Sequence, residues 1–143
     1  TLVPVMERLA QNLFICPSTV SQHAALACFE PESLSIYEER RAAFKARGDS
    51  FIPQLNAMGL PVPVVPDGAF YAWADCRDAC RSLGLPDSWA FAEHLMQHAH
   101  VAVTPGRDFG THAPGDYVRF STASSLQDLN TAAQRIQRLL AAA

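Results

Sequence analysis

Lysine is nearly absent from this chain. A single one, Lys45, stands beside ten arginines among 143 residues. The formal net charge is −3, and no basic run occurs. Phosphate neutralisation needs clustered cations, so a nucleic-acid partner is excluded. Long apolar runs are missing too: no stretch approaches the roughly 18 residues of a membrane span, which excludes a membrane partner. Four cysteines (Cys16, Cys28, Cys76 and Cys80) are too few for a disulfide scaffold at this length. There is no Gly-rich phosphate loop, no Gly-x-Ser-x-Gly elbow, no zinc-ligand motif and no signal peptide. These absences point to a reduced, cytoplasmic, soluble protein.

What is present suffices for a core. The chain is 49% apolar and 17% charged, which rules against disorder, and its length fits one domain. It opens on Thr1-Leu-Val-Pro without a Met and finishes with a helix at Leu139 to Ala143. The expectation is a C-terminal piece of a longer protein.

The periodicity predicts alternating elements. Pro4 to Leu13 reads as an amphipathic helix, with Val5, Met6, Leu9 and Leu13 on one side. Ser18 N-caps a second helix to about Phe29. Pro31 opens a long helix that runs to a C-cap at Gly59, with a bend expected at Gly48 or Pro53. Its run Glu38-Glu-Arg-Arg41 reads as a solvated face. Leu60 to Pro66 reads as an extended edge strand. Ala69 to Ala74 reads as a strand with Phe70, Ala72 and Ala74 on one face and Tyr71 and Trp73 on the other. Asp87 or Ser88 caps a helix to about Ala99, with Ala92, Leu95, Met96 and Ala99 inward. Val101 to Thr104 and Tyr117 to Thr122 read as strands. Ser125 and Asp128 form a capping box before a last helix striped by Leu129, Ala132, Ala133, Ile136, Leu139 and Leu140. The fold class is therefore α/β: a small α/β sandwich whose short, mostly antiparallel sheet is covered by helices.

Arg119 is the anomaly. It sits mid-strand in Tyr117-Val-Arg-Phe-Ser121, on the face opposite Val118 and Phe120. A guanidinium among apolar neighbours needs an anionic partner. That partner is either a local carboxylate or the carboxylate of a ligand, which the planar fork suits. Gly106 to Gly110 forms a Gly-bracketed loop straight after a strand, where close approach is possible. His94 and His98 stand four apart, but nothing completes a metal set, so they read as surface histidines. Cys76 and Cys80 read as reduced bystanders.

Three segments in order carry a family resemblance: Pro66-Asp-Gly-Ala-Phe-Tyr71, Thr104-Pro-Gly-Arg-Asp-Phe-Gly110, and Tyr117-Val-Arg-Phe-Ser121 before a capped helix. Upstream, Ser18-Thr-Val-Ser-Gln22-His-Ala-Ala and the charged stretches at Tyr37 to Arg41 and Arg47 to Asp49 also fit. Over essentially its whole length the chain resembles the C-terminal part of the class I/II aminotransferases, pyridoxal-phosphate enzymes of fold type I. The resemblance implies that residues 1–31 are a helical remnant of a large cofactor domain. Residues 32–143 would then be the small domain.

The resemblance also implies a parent enzyme that moves an amino group between an amino acid and a 2-oxo acid, with pyridoxal phosphate as cofactor and a homodimer as the assembly. Arg119 matches the arginine that grips the substrate α-carboxylate. Phe109 lies in the loop that folds over the substrate. Phe70 and Tyr71 match the strand lining the small-domain side of the cleft. The Schiff-base lysine of such enzymes lies upstream of the segment matched here, and Lys45 lacks its context. The piece alone is therefore expected to be inactive. Two alternatives share the scaffold: a lyase, and an aminotransferase-like effector domain of a transcription regulator.

Overall fold

The computed structural model describes residues 2–142. It divides into two compact units, residues 1–41 and 42–143.

The first unit is helical. Helix α1 (Val3–Leu13) begins with a proline in its first turn, where the missing N–H costs nothing. Ser18 caps α2 (Thr19–Leu26) by accepting from the Ser21 N–H, and a 3₁₀ turn, Ala27–Phe29, follows. No residue of either helix is buried. The stripe Val5, Met6, Leu9 and Leu13 is exposed in each case.

Helix α3 (Pro31–Ala57) spans the boundary between the units. It continues through Gly48 and Pro53. A proline inside a helix costs about 3 kcal/mol. Phe51, Ile52 and Leu55 are buried around it, and each such side chain contributes about 1.5–3 kcal/mol. Burial of that turn outweighs the lost bond. The helix ends in a Schellman motif: the Leu60 N–H reaches the Leu55 carbonyl and the Gly59 N–H reaches Asn56. Gly59 takes the left-handed conformation the motif requires, with φ +87°.

The sheet has three strands in the order β1-β3-β2, all antiparallel: β1 (Tyr71–Asp75), β2 (Thr104–Pro105) and β3 (Tyr117–Ser121). Alternation sorts its two faces. Ala72 pairs with Phe120 and Ala74 with Val118, all four buried. They join Phe51, Leu55, Leu95, Leu129 and Ile136 in one core. The opposite face carries Tyr71, Trp73, Tyr117 and Arg119.

Helices α4 (Arg77–Leu83), α5 (Ser88–His94, extended by a π turn over Leu95–Ala99) and α6 (Leu126–Ala141) complete the second unit. Asp87, not Ser88, caps α5: its carboxylate accepts from the Ala90 N–H at 2.9 Å. Ser125 caps α6 as expected, while the Asp128 carboxylate accepts from the Ser125 hydroxyl rather than from its backbone.

Three local expectations change. Leu60 to Pro66 is not a strand. The Leu60 N–H is spent on the helix end, that of Val62 goes to Asn56 Oδ1, and Pro61, Pro63 and Pro66 have none. One bond, from the Asp75 N–H to the Pro61 carbonyl, ties the segment to β1. Of Val101 to Thr104, only Thr104 enters the ladder. Met96 is exposed rather than inward: Phe91, Ala92, Leu95 and Ala99 fill the buried face of this helix and Met96 falls beside it.

Candidate functional site

The outer face of the sheet converges on Arg119. It sits on the central strand, opposite Trp73 on one side and Thr104 on the other. The guanidinium carbon lies 4.1 Å from the Tyr71 ring centre and 4.5 Å from that of Phe109. Both are cation–π distances. Trp73 meets Phe109 edge-on at 5.5 Å and stacks on Tyr117 at 5.7 Å. Tyr71 and Phe109 thus hold the cation, and Trp73, backed by Tyr117, meets Phe109.

The polar contacts of Arg119 are few. Its Nη2 donates to Thr104 Oγ1 across 3.4 Å. Its Nε is buried and has no hydrogen-bond partner. Among the described residues it makes no ion pair. A buried donor without an acceptor costs about 1–3 kcal/mol, more for a charged group. The local-carboxylate reading therefore finds no partner among the described residues. The site offers a fixed cation with an open donor, and its planar fork is able to pair with a carboxylate.

The loop after β2 is built for close approach. Gly106 through Phe109 form one 3₁₀ turn. A β-carbon on Gly106 would stand 2.5 Å from the Pro114 carbonyl oxygen and 2.8 Å from that of Tyr117. Only glycine fits there. This turn carries Phe109, 47% exposed, over the guanidinium.

Phe70 lies apart from this arrangement. Its ring stacks on Phe44 at 5.1 Å and tilts against Tyr71 at 4.5 Å. It touches a ring that holds Arg119. The structure thus brings Arg119 and Phe109 together and sets Phe70 behind Tyr71. Tyr71, expected with Phe70 on the strand lining the cleft, holds the guanidinium directly. Thr104 and Trp73 are contributors the sequence reading does not single out; strand register finds them, because both pair with Arg119 once β1 and β2 flank β3.

The other candidates have local explanations. The Cys76 thiol donates to the Asp116 carbonyl at 3.3 Å and that of Cys80 to the Asp87 carbonyl at 3.5 Å. The neighbouring Cys80, together with burial, pushes the Cys76 thiol up, so it stays protonated. His94 and His98 stack at 4.2 Å, and burial with the His98 charge pulls the His94 pKa down. Among the described residues no cluster of three or more His, Cys, Asp or Glu could hold a metal ion. Lys45 is exposed and ion-paired to Asp49 at 2.7 Å.

Comparison with known proteins covers nearly the whole chain. The family model "Aminotransferase class I and II" matches residues 2–136. An aspartate aminotransferase of Bacillus sp. (strain YM-2) is 36% identical over 97% of this chain and 34% of its own length. A valine–pyruvate aminotransferase of Mycobacterium tuberculosis is 34% identical over 94% of this chain and 35% of its own. Among solved structures, an aminotransferase from Mycobacterium tuberculosis superposes with a TM-score of 0.81 at 34% identity, covering 94% of this chain and 34% of that one. An aromatic aminotransferase from Pyrococcus horikoshii gives 0.77 at 36% identity, covering 94% and 35%. The chain spans about a third of the length of the relatives it matches.

Proposed function

This chain belongs to the class I and II aminotransferase family, and from that premise we propose that it is the carboxylate-gripping part of an enzyme that moves an amino group between an amino acid and a 2-oxo acid. The observation that supports this most is the buried, unpartnered Nε of Arg119. A substrate α-carboxylate bridging Nε and an Nη would satisfy it with two parallel, charge-assisted bonds. Tyr71 and Phe109 keep the guanidinium in place before substrate arrives, so little entropy is lost on binding. Phe109 also shields the ion pair from water, which strengthens it. Phe70 serves the same grip by fixing Tyr71.

Family membership implies pyridoxal phosphate in full-length relatives. The described residues do not fit that cofactor. Lys45 is solvated and held by Asp49, whereas a lysine that bonds the cofactor needs a desolvated amine with a lowered pKa. In this reading the cofactor belongs to the remainder of the polypeptide, and the piece alone is inactive. Residues 1–31 belong to the large domain and 32–143 to the small one. The exposed apolar side chains of α1 and α2 suit burial in a homodimer. The free thiols of Cys76 and Cys80 suit a cytoplasmic location, and among the described residues no helix is long and apolar enough to cross a membrane.

The test is Arg119→Lys in the full-length enzyme. Lysine supplies a point charge without the fork. Each charge-assisted bond is worth roughly 1.5–3 kcal/mol, so kcat/KM should fall about a hundredfold. The melting temperature should hold, since no ion pair is lost, the Thr104 contact is long at 3.4 Å, and lysine keeps a cation between the two rings. A lowered melting temperature with unchanged affinity for amino acid would make Arg119 a structural residue instead.

A further inference from the structure

Phe109 has little core packing to hold it. It is half-exposed, and the chain beyond it, Gly110 to His112, is exposed too. Yet its ring lies 4.5 Å from the Arg119 guanidinium. Something must fix the turn that carries it.

The fixed point is the N-terminus of α5. The Arg107 guanidinium carbon stands 3.2 Å from the centre of the Trp89 ring. Among the described residues Arg107 makes no ion pair, so this stack is its anchor. Trp89 is itself set between fixed neighbours. Asp87, two residues before it, caps the helix. Ser88, buried, donates to the Pro114 carbonyl at 2.8 Å. That same carbonyl closes the space over Gly106. Two residues of α5 thus grip the same turn, one directly and one through Pro114.

We propose that the Arg107–Trp89 stack is a positioning latch that holds Phe109 over Arg119, and so sets the affinity of the site for a substrate carboxylate. Neither Arg107 nor Trp89 touches the guanidinium; they act through Phe109. The proposal rests on the carboxylate-binding reading of Arg119. The latch holds a ring that shields the ion pair in the ground state and in the transition state alike. Its loss therefore raises KM and leaves kcat nearly unchanged.

The experiment uses the full-length enzyme with cofactor bound. Arg107→Ala and Trp89→Leu should each raise KM for the amino acid roughly three- to tenfold, the range set by a cation–π contact of this exposure. The inhibition constant of propionate, an unreactive carboxylate, should rise in parallel. kcat should stay within about twofold. Trp89→Phe and Arg107→Lys, which retain a ring and a cation, should restore most of the affinity. A merely structural role would lower the melting temperature and would not follow ring or charge.

Two results would overturn the latch: KM and the propionate constant unchanged in Arg107→Ala, or Trp89→Phe as damaging as Trp89→Leu. Combining Arg107→Ala with Arg119→Lys separates the two levels. If the latch works through Arg119, the second substitution adds less than its single effect; full multiplication counts against it. If Arg119→Lys alone leaves KM unchanged, the carboxylate reading fails. If Arg119→Lys raises KM while Arg107→Ala does not, the latch alone fails.

Discussion

A methyl group at position 106 has nowhere to go. The atoms it would meet are the backbone carbonyl oxygens of Pro114 and Tyr117, which cannot swing aside as a side chain does. Gly106→Ala must push both segments apart, at a cost of about 1–3 kcal/mol. A melting temperature several degrees lower checks this, and an unchanged one contradicts the packing. Asp75 gives a second residue-scale prediction. Its carboxylate accepts from the Arg77 backbone N–H and side chain, and these bonds hold its pKa below the usual range. A depressed folded value contributes stability that is present above the unfolded pKa of about 3.9 and is lost as pH falls through the folded one. Asp75→Asn should therefore destabilise at neutral pH and flatten the loss of stability below about pH 4; urea titrations across pH 2 to 7 measure it. At this scale the sequence speaks well where alternation rules: Val118 and Phe120 fall inward, which turns Arg119 outward. It says little of Trp89 and Arg107, because they lie 18 positions apart on different elements and carry no shared period.

Elements were legible in proportion to how local their causes are. Ser18, Asp87 and Ser125 each cap the helix that follows, a contact spanning three residues. Gly59 ends α3 for an equally local reason. Ser125→Ala should cost about 1 kcal/mol, because it removes the acceptor for the Asp128 N–H and the donor to the Asp128 carboxylate together. Chemical denaturation reads this directly; a loss under a few tenths would mean that the helix end frays in the native state. Strands were less legible. Leu60 to Pro66 carries the composition of a strand, yet its donors are already committed to the end of α3 or missing at prolines. Val101 and Val103 pack against the core without joining the ladder. Whether an apolar run pairs depends on a neighbour distant in sequence, and composition does not carry that information.

For the whole molecule, the decisive contrast is in burial. Among the described residues every fully buried side chain, from Phe51 to Ile136, lies in the second unit. Helices α1 and α2 have none, and Val5, Met6, Leu9, Leu13 and Val20 are each at least 60% exposed. A helix of 11 residues is marginal in water without packing. Residues 2–30 therefore take their order from something other than their own core. The periodicity of α1 predicted the stripe, but what the stripe faces lies beyond what its period can tell. Amide hydrogen exchange on the isolated 143-residue chain should show it. Amides of β1, β3 and α6 should exchange through global opening, whereas those of α1 and α2 should exchange near the unfolded rate. In the full-length enzyme the same α1 and α2 amides should become protected, as burial of Leu9 and Leu13 against further protein requires. Adding the cofactor to the isolated chain should change neither pattern, since Lys45 is committed to Asp49. Equal protection of both units in the isolated chain would mean that the first thirty residues fold by themselves, and would remove the argument that they belong to a larger domain.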